Sequence, residues 1–509
     1  MRKANPNPNA NRNIMILTYV ILSMFLGLMV YFGHFLFTDR EEVINNSYNA
    51  RLDHFSDRIV RGRILSSDGQ VLAQTNVGED GQELRVYPFG NLFAHVVGHS
   101  TKGKTGLESL GNFYLLTSHV NLLEQAFHGL ADQKSPGDDM ITTLDVGLQH
   151  AAYLALGERK GAVVAIEPGT GKILAMVSKP DYDPNPMSLE AAWEMLIADD
   201  NDQGQLLNRA SQGLYPPGSI FKIVTALEAI RENPEGYLDF HFDCSGVFQQ
   251  DSYTIRCYHG TAHGSQNFAQ AFANSCNGAF ASLGLTLDQE SMGQLTKQLL
   301  FQSELPLAIP YSKSSYNVSS NGSLLDKLAA SSQEGLGLSS GEEEPFASGE
   351  EVSEWEVLQS SIGQGKTLVT PIHFAMITAS IANGGMLMKP YLIDQVQSAD
   401  GEEVKKFLPE SFGSLMTAEE SRKLNDLMVQ VVTEGTGSAL RDAPYQAAGK
   451  TGSAEFETGR ETHAWFTGYA PAENPKIAVA VIVEEGGSGG MTAAPIARAM
   501  FDQYLLREQ

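Results

Sequence analysis

Ser219-Ile220-Phe221-Lys222 sets a hydroxyl and an amine three residues apart. A serine hydroxyl is a poor nucleophile until an adjacent base takes its proton. A lysine can be that base only if burial and neighbouring cations lower its pKa from about 10.4. Tyr215-Pro216-Pro217-Gly218 stops whatever precedes, and Ile220, Ile223, Val224, Leu227 and Ile230 then recur at helical spacing until Asn233-Pro234. The spacing predicts Ser219 in a first helical turn with Lys222 on the same face. The free N–H groups of a helix start favour developing negative charge there. Taken alone, Ser-x-x-Lys also fits an ordinary amphipathic helix with a surface lysine. It occurs once in this chain.

Lys450-Thr451-Gly452-Ser453 is the second constellation, in a strand-like stretch after Ala447-Ala448-Gly449. A fixed positive charge with two hydroxyl donors suits a carboxylate, and Gly452 permits close backbone approach. Lys104-Thr105-Gly106 repeats the tripeptide upstream, so the tripeptide proves nothing alone. Ser275-Cys276-Asn277 is the third. Ser47, Ser265, Ser315 and Ser319 also open Ser-x-Asn patterns. Only Ser275 falls between two apolar helical runs, one with Phe268, Ala271 and Phe272, the other with Phe280 and Leu283, where a tight loop can present a hydroxyl and an amide to a cleft. The three patterns together follow the order used by serine acyl-enzymes.

The elements that must hold these groups are legible as periods. Ala162–Ile166 and Lys172–Val177, joined by Glu167-Pro168-Gly169-Thr170-Gly171, read as a β-hairpin. Strands are predicted again around Ala448, around Trp465 and over Ile477–Val483, before a closing helix over Ala494–Leu506. Strands at both ends with helices between predict one α/β (α+β) domain whose sheet is completed by distant pieces of chain. Residues 41–140 alternate short apolar runs with Gly and Asp turns and read as short strands.

Ile14–Phe37 contains no Asp, Glu, Lys or Arg. At about 1.5 Å per residue it spans roughly 36 Å, enough to cross a bilayer. Arg2, Lys3 and Arg12 precede it and Asp39, Glu41 and Glu42 follow, which predicts a cytoplasmic N-terminus and an extracytoplasmic remainder. The run ends in Phe35, Leu36 and Phe37 rather than a small-residue cleavage site, which favours an uncleaved anchor over a signal peptide. Residues 1–13 are Asn- and Pro-rich and predicted disordered. Residues 331–356, rich in Ser, Gly and Glu, read as a mobile acidic surface loop. A formal charge of −25 argues against nucleic acid as a partner. The three cysteines, Cys244, Cys257 and Cys276, show no Cys-x-x-Cys spacing, so neither a metal nor another cofactor is expected. Cys244 and Cys257 fit either an extracytoplasmic disulfide or free thiols in an apolar cluster.

At this point the chain resembles the class B high-molecular-weight penicillin-binding proteins. Arg61-Gly62-Arg63-Ile64 and Gly106-Leu107-Glu108 look like the motifs of that family's pedestal domain. Ser361-Ile362-Gly363-Gln364-Gly365, Val369-Thr370-Pro371 and Ala382-Asn383-Gly384-Gly385 look like the stretch before its Lys-Thr-Gly strand, and Trp465–Pro471 like the strand after it. The resemblance implies a membrane anchor (14–37), an elongated, mostly β pedestal (41–140) and a serine transpeptidase/β-lactamase-like domain (141–509) with a central antiparallel sheet flanked by helices. It implies a D,D-transpeptidase that cross-links peptidoglycan stem peptides in the plasma membrane and is acylated by β-lactams. Ser219 would be the nucleophile, Lys222 its base and Ser275 the proton relay. Asn277 would hold the peptide, and Lys450, Thr451, Gly452 and Ser453 would bind the terminal carboxylate. The resemblance further implies a separate membrane glycosyltransferase as partner. The Glu-x-x-Leu-Asn deacylation pattern of class A β-lactamases is absent. The rival readings are a D,D-carboxypeptidase or β-lactamase-type hydrolase, a β-lactam sensor, and a non-catalytic scaffold.

Overall fold

The computed structural model describes residues 8–38, 58–120, 133–198, 200–316, 353–456 and 459–507. The sheet that carries the site runs, in spatial order, Ala448–Ala454, His463–Ala470, Ile477–Val483, Gly161–Ile166 and Ile173–Lys179. Every pairing in it is antiparallel. Its hydrophobic runs are continuous rather than alternating because both faces are covered. In the strand Ile477–Val483, Ile477, Val479, Val481 and Val483 pack on one face with Leu148, Ile496 and Phe501, from the helices Val146–Leu156 and Ala494–Leu505. Ala478, Ala480 and Ile482 point the other way, into a core shared with Phe374 and Ile377 of the helix Pro371–Ala382. This two-residue period splits the domain into helix, sheet and helix layers.

The second large sheet runs Glu403–Lys406, Ile393–Gln397, Asp139–Thr142, Ile64–Leu65, Val71–Val77 and Glu83–Val86. Asp139–Thr142 lies parallel to Ile64–Leu65 and antiparallel to Ile393–Gln397. A division at residue 140 therefore cuts through a strand. Two strands from the C-terminal half also complete the pedestal's sheet, a pairing between segments some 250 residues apart that no local period announces.

The two pedestal motifs meet in one buried ion cluster. Glu108, fully buried, receives Arg61 Nε at 2.6 Å, Arg85 Nε at 2.7 Å and the Tyr87 hydroxyl at 3.1 Å. Burial alone would raise the Glu108 pKa, but the Arg61 and Arg85 charges outweigh it and hold the carboxyl at about 2, against an ordinary 4.5. The stabilisation is thus complete above pH 4.5 and is lost as pH falls toward 2. Glu108→Gln strands two buried guanidinium groups. It should cost about 3–5 kcal/mol, read as a lowered urea midpoint of unfolding at pH 7.

Near the N-terminus, a helix spans Pro8–Thr38 and holds an apolar stretch, Ile14–Phe35, of mean hydropathy 2.3 with none of it buried. It fits membrane anchoring. The helix begins six residues before Ile14, so residues 8–13, expected to be disordered, continue it; residues 1–7 lie outside the described residues. Of the acidic stretch 331–356, residues 331–352 also lie outside them. Its end is a helix, Glu354–Ser360, rather than loop: Val357 and Leu358 are apolar side chains that bury against the core.

Candidate active site

Ser219 stands in a 3-10 turn, Gly218–Phe221, that runs directly into the helix Lys222–Glu232. The turn is held from three directions. Gly218 N–H donates to Gly363 O at 2.8 Å, and Trp465 Nε1 donates to Pro216 O at 3.0 Å. Tyr215 is anchored through its hydroxyl to Glu484, 2.8 Å away, which also receives Arg209. Gly363 sits at φ +73°, and a Cβ there would lie 2.1 Å from Gly218 O, so only glycine lets the two loops touch. Ser361–Gly365 is thus a brace for the turn that carries Ser219.

Lys222 is fully buried. Its Nζ lies 3.0 Å from Ser219 Oγ, 2.6 Å from Ser275 O and 2.7 Å from Asn277 Oδ1. This set suits a neutral amine. Its two N–H groups are taken by the Ser275 carbonyl and the Asn277 side-chain oxygen, which leaves a lone pair for the serine proton. Burial lowers the Lys222 pKa from 10.5 to about 8, against a weaker opposing pull from Cys276 and Cys257.

Ser275 occupies a conformation that serine rarely takes. The helix Phe268–Ala273 ends with Ser275 N–H on Phe272 O and Cys276 N–H on Ala271 O, a Schellman-type close with Ser275 at φ +58°. Glycine is the usual occupant, and a side chain there costs on the order of 1–2 kcal/mol. The cost is tolerated where the side chain has work that glycine cannot do. Here Ser275 turns its carbonyl to Lys222 and its hydroxyl to Lys450, whose Nζ donates to Oγ at 2.8 Å. Asn277 opens the next helix, Asn277–Thr286, and donates from Nδ2 to Arg256 O at 2.9 Å. One of its two amide N–H groups is left for a ligand.

Lys450, Thr451, Gly452 and Ser453 lie on the edge strand Ala448–Ala454. A cleft of about 1080 Å³ opens over Ser219, Ser275, Asn277, Thr451, Gly452 and Ser453. Lys450 is not on its wall. It is fully buried, with its pKa held well below 10.5 by burial and by the Lys222 charge. From beneath the cleft it reaches Ser275 Oγ, the hydroxyl that its Nζ bonds. Of this segment, Thr451 and Ser453 bring hydroxyls to the cleft. Gly452 eases the packing: a Cβ there would crowd Trp465 at 3.0 Å and Pro217 O at 3.1 Å.

Thr436 escaped the sequence reading. Its hydroxyl is 2.5 Å from Thr451 Oγ1, and its N–H donates to Ala273 O at 3.2 Å, so it ties the end of the Ser275 helix to the edge strand. The available signal was its flanking pair Gly435 and Gly437; a Cβ at Gly435 would lie 2.2 Å from Ala273 O. The upstream Lys104-Thr105-Gly106 lies apart from this cleft, at the start of the pedestal helix Gly106–Leu110. The three cysteines are buried free thiols behind the Ser275–Asn277 turn, with Cys244 and Cys257 sulfurs 3.6 Å apart, so the disulfide is not formed.

The penicillin binding protein transpeptidase domain matches residues 161–502, and the dimerisation domain of penicillin binding protein A matches residues 61–140. The peptidoglycan D,D-transpeptidase PbpA of Mycolicibacterium smegmatis is 35% identical over 477 residues, 88% of this chain and 89% of that protein. The peptidoglycan D,D-transpeptidase MrdA of Acinetobacter baumannii is 31% identical, over 84% of this chain and 66% of its own length. Among solved structures, penicillin-binding protein A from M. tuberculosis as a ceftriaxone acyl-enzyme complex aligns with TM-score 0.75 at 29% identity, over 89% of this chain and 100% of that one. A D,D-transpeptidase domain from Eggerthella lenta aligns with TM-score 0.74 at 30% identity, over 89% of this chain and 99% of that one. Family match, relatives and the geometry around Ser219 agree, and the chain belongs to the penicillin-binding protein transpeptidases, with a dimerisation domain ahead of the transpeptidase domain.

Proposed function

We propose that this chain is a peptidoglycan D,D-transpeptidase working through an acyl-enzyme on Ser219. The observation that carries the reading is the network in which one buried amine, Lys222, touches Ser219, Ser275 and Asn277 beneath a cleft walled by Thr451 and Ser453. Ser219 Oγ attacks the penultimate D-Ala carbonyl of a stem pentapeptide and passes its proton to Lys222 Nζ. The main-chain N–H groups of Ser219 and Ser453 stabilise the oxyanion, a contribution of about 3–4 kcal/mol per donor. Ser275 Oγ, held by Lys450, relays that proton from Lys222 to the departing terminal D-Ala amine. Thr451 and Ser453 hydroxyls bind the terminal carboxylate, with the Lys450 amine beneath them, and Asn277 orients the peptide. An amine of a neighbouring stem peptide then displaces Ser219 and completes the cross-link. β-Lactams acylate the same serine.

The helix Pro8–Thr38 anchors the chain in the plasma membrane with its N-terminus in the cytoplasm, as Arg2, Lys3 and Arg12 favour. A separate membrane glycosyltransferase supplies the glycan strands. With a pentapeptide donor and an amine acceptor, mass spectrometry should detect the transfer product. Hydrolysis alone, despite abundant acceptor, would replace this reading with a carboxypeptidase.

A further inference from the structure

Glu455 stands one residue past the edge strand Ala448–Ala454, whose last pair with the neighbouring strand joins Ala454 to His463. The main-chain N–H and C=O of Glu455 lie beyond that ladder, and a side chain takes the place of a strand. The Gln364 carboxamide accepts from Glu455 N–H at 3.1 Å through its oxygen and donates to Glu455 O at 2.9 Å through its nitrogen. This orientation of the amide is the one that gives both of its ends a partner. A donor and an acceptor side by side are what a facing strand would offer.

Gln364 is itself firmly held. Its N–H donates to Gln359 O at 2.9 Å and Gly363 N–H to Ser360 O at 2.8 Å, which closes the helix Glu354–Ser360. Ser361 O accepts from Thr225 Oγ1 at 2.9 Å, one turn on from Lys222 in the helix Lys222–Glu232. Gly363 O accepts from Gly218 N–H beside the nucleophile. Residues 361–364 therefore reach the Lys222 helix, the Ser219 turn and the end of the edge strand. Among the described residues, no main-chain hydrogen bond joins that turn to the edge strand directly. The two only touch: a Cβ on Gly218 would lie 2.9 Å from Ala454 Cβ. Residues two apart on an edge strand turn their N–H groups to the same side, so a hold on Glu455 N–H is also a hold on the direction of Ser453 N–H.

We propose that Gln364 is a positioning residue for acyl transfer. By clamping Glu455 it sets the Ser453 N–H at its working distance from the Ser219 N–H, so that both reach one oxyanion. The role rests on the acyl-enzyme reading, which makes those two groups the oxyanion donors. Such donors act only when they stand about 2.7–3.1 Å from the oxygen as it becomes charged. The hydroxyls of Thr451 and Ser453 and the Asn277 amide, which hold the ligand beforehand, do not depend on that spacing. Loss of the clamp should therefore slow bond formation and leave prior binding alone.

Gln364→Met keeps the length of the side chain and removes both of its bonds to Glu455. In the full-length protein, stopped-flow acylation by a chromogenic cephalosporin over a range of concentrations separates the limiting rate from the half-saturating concentration. The limiting rate should fall by about 10–100-fold, the scale of a small misplacement at an oxyanion site. The half-saturating concentration should stay within about twofold, since ground-state binding is untouched. An acylaminoethyl boronic acid, which bonds Ser219 Oγ as a tetrahedral adduct, should lose affinity by about the same factor as the rate. Gln364→Asn, one methylene too short to reach Glu455, should show the same split and serves if the Met variant does not fold. Circular dichroism of the variant should match the wild type. An unchanged limiting rate and boronate affinity overturn the positioning role. So does a loss confined to the half-saturating concentration, which makes Gln364 a substrate contact. A wild-type protein that the cephalosporin does not acylate on Ser219 overturns the acyl-enzyme reading, and the positioning role with it.

Discussion

Ser219→Ala abolishes covalent labelling by a fluorescent penicillin and leaves the thermal unfolding of the protein essentially unchanged. The expected effect is a loss of up to about 10⁶-fold, the scale on which removal of a nucleophile collapses an acyl-transfer site. Stability should barely move because Ser219 is only half-buried and its hydroxyl faces the cleft. The turn itself is held by Gly363, Trp465 and Tyr215, none of which bonds to the serine side chain. Intact-mass measurement after β-lactam exposure is the check. Stoichiometric labelling of the alanine variant would remove Ser219 from the mechanism.

The second large effect concerns Lys222 and carries a pH signature. Lys222→Gln keeps a polar side chain but offers no amine to accept the serine proton. Acylation should fall by about 10²–10⁴-fold, the usual contribution of a positioned base. In the wild-type protein the amine must be neutral to act, and burial places its pKa at about 8. Below that value the lysine is protonated, so the acylation rate should drop by about tenfold per pH unit and level off above it. Lys222→Gln should remove this limb of the profile as well as most of the rate. A stopped-flow acylation profile from pH 6 to pH 11.5 measures both. A midpoint near 10.5 would show an amine that the fold does not perturb.

Much of the site is legible in the sequence because its parts are contiguous. The Ser219–Lys222 pair, its helix and the Pro-Pro-Gly break before it lie within one short stretch, where a helical period is visible. The same holds for the hairpin at 161–179 and the strand Ile477–Val483, whose apolar runs report burial on both faces. Ser275 could be picked from five Ser-x-Asn patterns because it alone joins two apolar helical runs. Its left-handed backbone, which aims carbonyl and hydroxyl at two different lysines, was not readable from residue type. Serine at such a position is uncommon, so composition pointed away from it.

The amino-acid sequence alone determined which groups would meet: a hydroxyl, an amine and a lysine-bearing strand, in an order that one family of acyl-enzymes uses. It also determined the elements that carry them, since a helix or a strand is specified by its own neighbours. Tertiary structure decided how the groups act. It buried Lys450 beneath Ser275 from 175 residues away, added Thr436 to the edge strand, and completed the pedestal's sheet with residues 393–406. It also drew Cys244, Cys257 and Cys276, separated by 13 and 19 residues, into one cluster with His263. The physical reason is range. Periodicity records which face of a segment is buried, whereas burial depth, amine protonation and ligand geometry depend on what distant chain is packed against that face.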